Sequence, residues 1–270
     1  MRLKKVVSIT FEVLSIILLT ILTQIGGVVY LLSLVWRKKW KTRFIGKPVI
    51  LFLTLYLIFT FLIIPFTAPF FGREKVKNTE RIKPTNFVTV LLNRNYVKPT
   101  INQLLANVDK VLAGQDNAIN IRYLDANFPF YDGFPLLPHL SHNDGKKIDI
   151  SLVYETPKSE ITSKQKSWSG YGIFEEPTKK EHDQISFCKE KGYFQYDFPK
   201  YLTFGRINPE LNFSKGGTKK LVKSFLSSSL VGKMFIEPHL KSRLGLNDSR
   251  IRYHGCKAVR HDDHIHVQVK

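Results

Sequence analysis

Three of the chain's eight histidines fall within six positions near the C-terminus, in His261-Asp262-Asp263-His264-Ile265-His266. The alternating, β-branched run Ile265–Val269 predicts a strand. Side chains two apart on a strand share a face. His264 and His266 would therefore converge on one point, as a metal ion or a reacting carbonyl requires. His-x-His alone is a weak signal, so its meaning depends on ligands from elsewhere in the chain.

Ser141-His142-Asn143-Asp144-Gly145-Lys146-Lys147-Ile148-Asp149 is the second informative stretch. Asp144-Gly145 predicts a turn, and Asp149 opens a strand predicted over Ile148–Tyr154. A turn there can bring His142 and Asp149 to one site. With one histidine from the C-terminal strand they make two imidazoles and a carboxylate. Catalytic zinc takes three protein ligands of this kind and keeps a fourth position for water. Zinc lowers the pKa of that water toward roughly 7, which makes hydroxide available at neutral pH.

The spacing His-x6-Asp followed far downstream by His-x-His resembles the LAS group of zinc peptidases, most closely its penicillin-insensitive murein endopeptidase branch. Ser141, His142, Gly145, Asp149 and Ile150 fit that branch's first motif. Arg260 to Val267 fits its last, and Phe235 to Lys241 is similar to the segment between them. Residues 155–230 match thinly, and the resemblance does not extend to residues 1–73. It implies that His142, Asp149 and His266 bind Zn2+. It also implies that His264 sits beside the activated water or the oxyanion, and that His261 carries the proton. The related dipeptidases carry an arginine where this chain has Asp125-Ala126-Asn127-Phe128-Pro129, and Arg122 is the nearby candidate to replace it. The implied activity is hydrolysis of peptidoglycan cross-link peptides. The alternatives are a D,D- or L,D-carboxypeptidase on wall peptides, or a non-catalytic wall-binding module.

The assignment is chemically coherent. One imidazole can take the water proton and return it to the leaving amine. A second, protonated, can stabilise the oxyanion. Asp262 or Asp263 can orient an imidazole through its other nitrogen, and the remaining one is expected to face solvent or cap a turn. Asp144 is read as a turn former, and Ser141 as either a donor behind the ligands or a loop residue. His139 and His239 are left outside the site, and His182 and His254 are read as surface residues. Trp168, Tyr171 and Phe174 either line a substrate groove or pack into the core.

The elements that must position these residues are a mixture. Pro99 to Leu112 has helical spacing, Ile119–Leu124 alternates like a strand, and Asn127–Leu140 is a loop. Residues 155–183 form a long polar excursion. A helix is expected over Lys219–Leu230, started by Thr218, with a strand at Met234–Ile236 and a short helix at Pro238–Leu244. Helices and strands mix without regular βαβ repetition, so the expected class is α+β, a small mixed or antiparallel sheet with flanking helices. Residues 99–270 are the expected extracytoplasmic peptidase domain, and 74–98 the linker.

Residues 1–73 differ in kind. They hold ten Lys/Arg and one acid, Glu12, against 31 and 21 in the remainder. Val6–Trp36 and Val49–Phe71 are almost entirely apolar, and each exceeds the roughly 20 residues that span a bilayer as a helix. A transmembrane hairpin follows, with spans at about 6–36 and 49–71. Its loop over 37–47 carries six Lys/Arg, the N-terminal flank three, so positive charge puts the loop in the cytoplasm. Both chain ends would then lie outside an inner membrane. The expected partners are peptidoglycan peptides, the lipid bilayer and a membrane protein docked on the hairpin. No run alternates clustered Arg/Lys with stacking aromatics, so nucleic acid is not expected. Cys188 and Cys256, both in the outer domain, are compatible with a disulfide.

Overall fold

The computed structural model describes residues 2–39, 47–115 and 118–270. The first apolar stretch is not the single span expected over 6–36. It forms α1 (Arg2–Thr23) and α2 (Gly26–Lys39), parted at Gln24, whose φ is 65°. Successive glycines each weaken a helix by about 1 kcal/mol, and Gly26-Gly27 sits at the break. Thr23 Oγ1 accepts a hydrogen bond from Gly26 N at 2.8 Å and caps the new start. α2 then runs back along α1. A Cβ on Gly27 would lie 2.0 Å from Thr20 Oγ1 and 2.7 Å from the Ile16 carbonyl oxygen, so the approach needs glycine. Farther along the pair, Arg37 reaches Glu12 at 3.7 Å.

α3 (Lys47–Ile58) packs on α2, with the Tyr30 and Phe52 rings edge to face at 5.7 Å. It continues through a π turn at Phe59–Ile63, a short α segment at Ile64–Thr67 and a 3-10 turn at Ala68–Phe71. The π turn precedes Pro65, which has no N–H for the Phe61 carbonyl. Lys4–Thr23 and Pro48–Phe71 are long and apolar enough to cross a membrane, at 20 and 24 residues. The apolar part of α2, Gly26–Arg37, is shorter. Most of the loop expected over 37–47 lies outside the described residues.

The domain is built on one mixed six-stranded sheet. Its strands are β1 (Ile82–Pro84), β2 (Ile121–Tyr123), β3 (Lys147–Ser151), β4 (Val231–Phe235), β5 (Ile251–Arg252) and β6 (His264–Val269). They lie in the order β5-β4-β6-β3-β2-β1. β6 is antiparallel to both β3 and β4, and the outer pairs β1–β2 and β4–β5 are parallel. The α+β class holds, but residues 74–98 are not a linker. They supply β1, the short helix α4 (Phe87–Leu91) and the Tyr96-Val97 strand that pairs with Glu74-Lys75. Asn86 caps α4 by accepting from Thr89 N at 3.2 Å. Pro84 is tolerated because β1 is an edge strand.

The period of two in β3 and β6 sorts core from site. Ile148, Ile150, Ile265, Val267 and Val269 face one side and are buried. α5 (Pro99–Gln115) covers them with Ile101, Leu104, Leu105, Val108 and Leu112, at helical spacing. α6 (Lys215–Leu226) adds Leu221, Val222 and Phe225. Burying each such side chain contributes roughly 1.5–3 kcal/mol before entropy is counted. α6 starts earlier than expected: Ser214, not Thr218, is the cap, accepting from Gly217 N at 3.3 Å. The opposite face of the sheet carries Asp149, His264 and His266. It is roofed by loops and by the 3-10 helix Phe194–Leu202, whose Gln195 and Phe198 line the cavity over it. Cys188 and Cys256 form a disulfide that closes a separation of 68 residues beside that roof.

Candidate metal centre

β3 and β6 fix the first two donors. His266 is directly opposite Asp149 in their register, and both point away from the core. His266 Nδ1 lies 2.9 Å from Asp149 Oδ1. The third donor arrives on the loop that turns at Gly145, where φ is 78°. A Cβ there would press on Lys98 and Arg73 at about 3 Å. His142 Nε2 ends 3.1 Å from Asp149 Oδ1 and 3.0 Å from His266 Nδ1. Asp144 is the turn former expected, accepting from Lys146 N at 2.9 Å.

The donor chemistry suits a cation. His142 Nδ1 donates to the Ala126 carbonyl at 2.6 Å, which leaves Nε2 to present its lone pair to the centre. Three lone-pair atoms thus face one another at 2.9 to 3.1 Å inside the protein, all on residues 2 % exposed or less. Tetrahedral ligands about 2.0–2.1 Å from zinc stand roughly 3.3 Å apart, so a small outward shift admits the ion. Burial opposes charge on Asp149, but His142, His264 and His139 outweigh it and hold the carboxyl well below its usual range. Burial likewise opposes a proton on His142, yet Asp149 and the Ala126 carbonyl raise its pKa. A field that favours a proton there also favours a metal ion. Burial keeps His266 neutral, with its pKa lowered to about 3.

The other two C-terminal histidines stand beside this triad. His264 Nδ1 meets Asp263 Oδ1 at 2.5 Å, and Asp263 Oδ2 accepts from Gly172 N at 2.6 Å. Burial opposes charge on His264, but Asp149 and Asp263 raise its pKa to about 9; a bound cation would work against that charge. Burial first, then the neighbouring His264 charge, pushes His261 well below the ordinary imidazole value. Its ring centroid is 4.9 Å from that of His264. Both line a cavity of about 320 Å³ that also exposes His142, Asp149 and His266. Two imidazoles with pKa values shifted in opposite directions therefore border the candidate metal position.

Neither acid between these histidines is solvated, contrary to expectation. Asp263 orients His264, and Asp262 is fully buried against Arg260. Burial opposes charge on the Arg260 guanidinium, but its hydrogen bonds to Asp262 and Glu176 outweigh this and raise its pKa. Phe174 lies under that guanidinium, 3.9 Å from ring centroid to Cζ. His239 is structural: its Nε2 donates to the Glu175 carbonyl at 2.8 Å. His182 is exposed, as expected. His254 is exposed too, but it borders the cavity and packs on Phe235 at 4.2 Å.

His139 is the residue that sequence reasoning missed. Its Nδ1 lies 3.2 Å from Asp149 Oδ2, and neither ring nitrogen has a hydrogen-bond partner among the described residues. Together with Asp149 and His264 it makes a second group able to hold a metal ion, beside His142, Asp149 and His266. The His139-x-x-His142 spacing was the available signal. Tyr171 joins from the long excursion, donating to Asp149 Oδ2 at 2.9 Å. Burial and Asp149 raise its pKa well above 10, so it stays a donor. An arginine also stands at the site's edge: Arg94, not Arg122, contacts Asp125, at 3.2 Å. No protein-family model matches the chain, and no curated protein matches it.

Proposed function

We propose that this chain is a membrane-anchored zinc peptidase that hydrolyses peptide bonds of peptidoglycan cross-links. The observation that carries the proposal is the convergence of His142 Nε2, Asp149 Oδ1 and His266 Nδ1 at 2.9 to 3.1 Å, with two further imidazoles bordering the same open cavity. Nitrogen and oxygen donors in this number suit zinc. Zinc would supply polarisation of a carbonyl and acidification of water. His261, neutral, is positioned to accept a proton and return it to the leaving amine. His264, hydrogen-bonded through Nδ1 to Asp263, is positioned to donate to the oxygen on which negative charge develops. Tyr171 fixes Asp149 from behind. The murein endopeptidase resemblance of residues 141–150, 235–241 and 260–267 supports the choice of substrate.

The domain is proposed to face away from the cytoplasm. Arg2, Lys4, Lys5, Arg37, Lys38, Lys39, Lys41, Arg43 and Lys47 are the only cations before Arg73, and the helical hairpin gathers those among the described residues away from the domain. The disulfide fits an oxidising compartment.

The test is zinc content and muropeptide cleavage in His142→Ala and His266→Ala. Each variant should lose stoichiometric zinc and cross-link cleavage together. Wild-type zinc with wild-type cleavage in both ends the proposal. Loss of a terminal residue from the peptide, with cross-linked dimers left intact, would make the enzyme a carboxypeptidase instead.

A further inference from the structure

A second, larger cavity of about 740 Å³ adjoins the metal centre and shares Pro138 and Phe198 with the cavity above it. Its inner end is polar. There Asp125 pairs with Arg94, and Tyr171 donates to the metal-ligating Asp149 at 2.9 Å. The rest of the wall is mostly apolar, formed chiefly by Leu22, Val88, Leu92, Leu137, Trp168 and Phe204, with Asn86, Thr89 and Ser169 interspersed. Leu22 belongs to the last turn of α1, a helix able to span the membrane.

The position of the mouth identifies the occupant. Leu22 is two residues from Gln24, whose Oε1 accepts from Phe130 N of the domain at 2.9 Å. Phe87, next to Val88 on α4, stacks on Phe61 of the second apolar helix at 6.1 Å. The cleft therefore opens where the membrane helices meet the domain. Around it Trp168 is 60 % and Phe204 78 % exposed, an apolar surface of the kind that meets lipid or a partner. Apart from Asn86, whose amide already donates to the Trp168 carbonyl, Thr89 and Ser169, such walls offer few groups to satisfy a peptide backbone, which needs a partner for every buried N–H and C=O. A hydrocarbon chain has no such requirement, and the volume is in the range of small-molecule sites.

We propose that this cleft holds the apolar chain of a membrane amphiphile whose peptide head reaches the metal centre. The substrate class is then a lipid-linked peptide still seated in the bilayer. Arg94 Nε, buried and without a partner among the described residues, is the donor left for the polar group where chain and head join. The reaction is hydrolysis: the amide C–N bond breaks, the water oxygen bonds to the carbonyl carbon, and the leaving amine takes a proton. This proposal rests on the peptidase reading above, but the cleft can be tested apart from it.

Full-length protein in vesicles of phosphatidylethanolamine and phosphatidylglycerol is photolysed with palmitic acid carrying a terminal diazirine. Label is expected on peptides containing Leu92 or Trp168, and it should drop several-fold in Val88→Glu and Leu92→Glu. Zinc content checks that each variant is folded. A cross-linked wall peptide is then supplied with and without an N-terminal palmitoyl chain. The lipidated form should be cleaved at least tenfold faster by kcat/KM, and that ratio should fall toward one in both variants. Label confined to the lipid-facing sides of α1 and α3, or a ratio near one in the wild type, overturns the proposal. So does a membrane polypeptide that cross-links through the cleft in place of the probe. Cleavage of neither peptide by the zinc-loaded wild type would instead remove the peptidase reading, while the labelling still decides what fills the cleft.

Discussion

Asp149 decides what the centre can hold, because its two oxygens serve different neighbours. Oδ1 faces His142 and His266, while Oδ2 takes the Tyr171 hydroxyl and lies 3.2 Å from His139. An asparagine at this position would keep the shape but present an amide where a buried anion now balances several imidazoles. Asp149→Asn is expected to weaken zinc binding at least about 100-fold, read by competition with a chelating dye, with the circular dichroism of the domain unchanged. Asp263 acts one step away. It touches His264 and Gly172 N, not the candidate metal position. Asp263→Asn should therefore retain zinc while cleavage falls by about 10²–10⁴-fold, the usual worth of a correctly protonated catalytic side chain. Zinc loss in that variant would show instead that Asp263 holds the ligands in place. Among single residues, the sequence displayed His142, Asp149, His264 and His266 because a strand's period of two and one turn bring them together. His139 was not legible. Its contact with Asp149 depends on how the Asn127–Leu140 loop folds, and no periodicity governs that.

The β3–β6 pair is the element that makes the site, since one register sets both the core and the donors. Its strands were visible in the sequence at Ile148–Tyr154 and in the alternating Ile265–Val269, as were the buried stripes of α5 and α6. Two errors at this scale have different causes. β1 and α4 are too short to carry a periodic signal, so residues 74–98 look like a linker by composition. The α1–α2 break did carry a signal, Gly26-Gly27 after Gln24, but continuous hydrophobicity masked it. Loops roof the site and need their own ties. Gly172, with φ 79°, places its N–H on Asp263, and a Cβ there would lie 2.3 Å from the Pro199 carbonyl oxygen. Gly172→Ala should cost on the order of 1–3 kcal/mol in unfolding free energy and reduce cleavage through His264. Farther out, Glu181 grips Arg243 through two hydrogen bonds, of 2.9 and 2.6 Å, which lower its pKa to about 2. A carboxyl with a depressed folded pKa stabilises above its unfolded value and loses that contribution as pH falls toward the folded one. Between about pH 4.5 and 2 the wild type should thus lose stability that Arg243→Met lacks from the start. Melting curves of both proteins across that window would coincide at every offset if the clamp were idle.

At the scale of the whole molecule, the return of α2 along α1 reverses where the chain begins. One continuous helix over 6–36 would put the N-terminus and the domain on the same side of the membrane. The hairpin instead puts the start of α1, the end of α2 and the start of α3 at one end, and Gln24 and the domain at the other. Glu12 supports that arrangement. It is the one acid in residues 1–73 and lies 3.7 Å from Arg37. In one continuous helix the two would stand about 37 Å apart at 1.5 Å per residue. α1 is about 33 Å long and matches a bilayer core of about 30 Å, whereas α2 at about 21 Å does not. Arg2, Lys4 and Lys5 at the start of α1 and Lys47 at the start of α3 lie at the end away from the domain, so the positive-inside bias has no opposing flank. An epitope tag placed before Met1 should accordingly resist protease added to intact spheroplasts and be digested after lysis. A tag after Lys270 should be digested in both. Digestion of the N-terminal tag in intact spheroplasts would restore a single first span and remove the hairpin tip, with Leu22, from the wall of the lipid cleft.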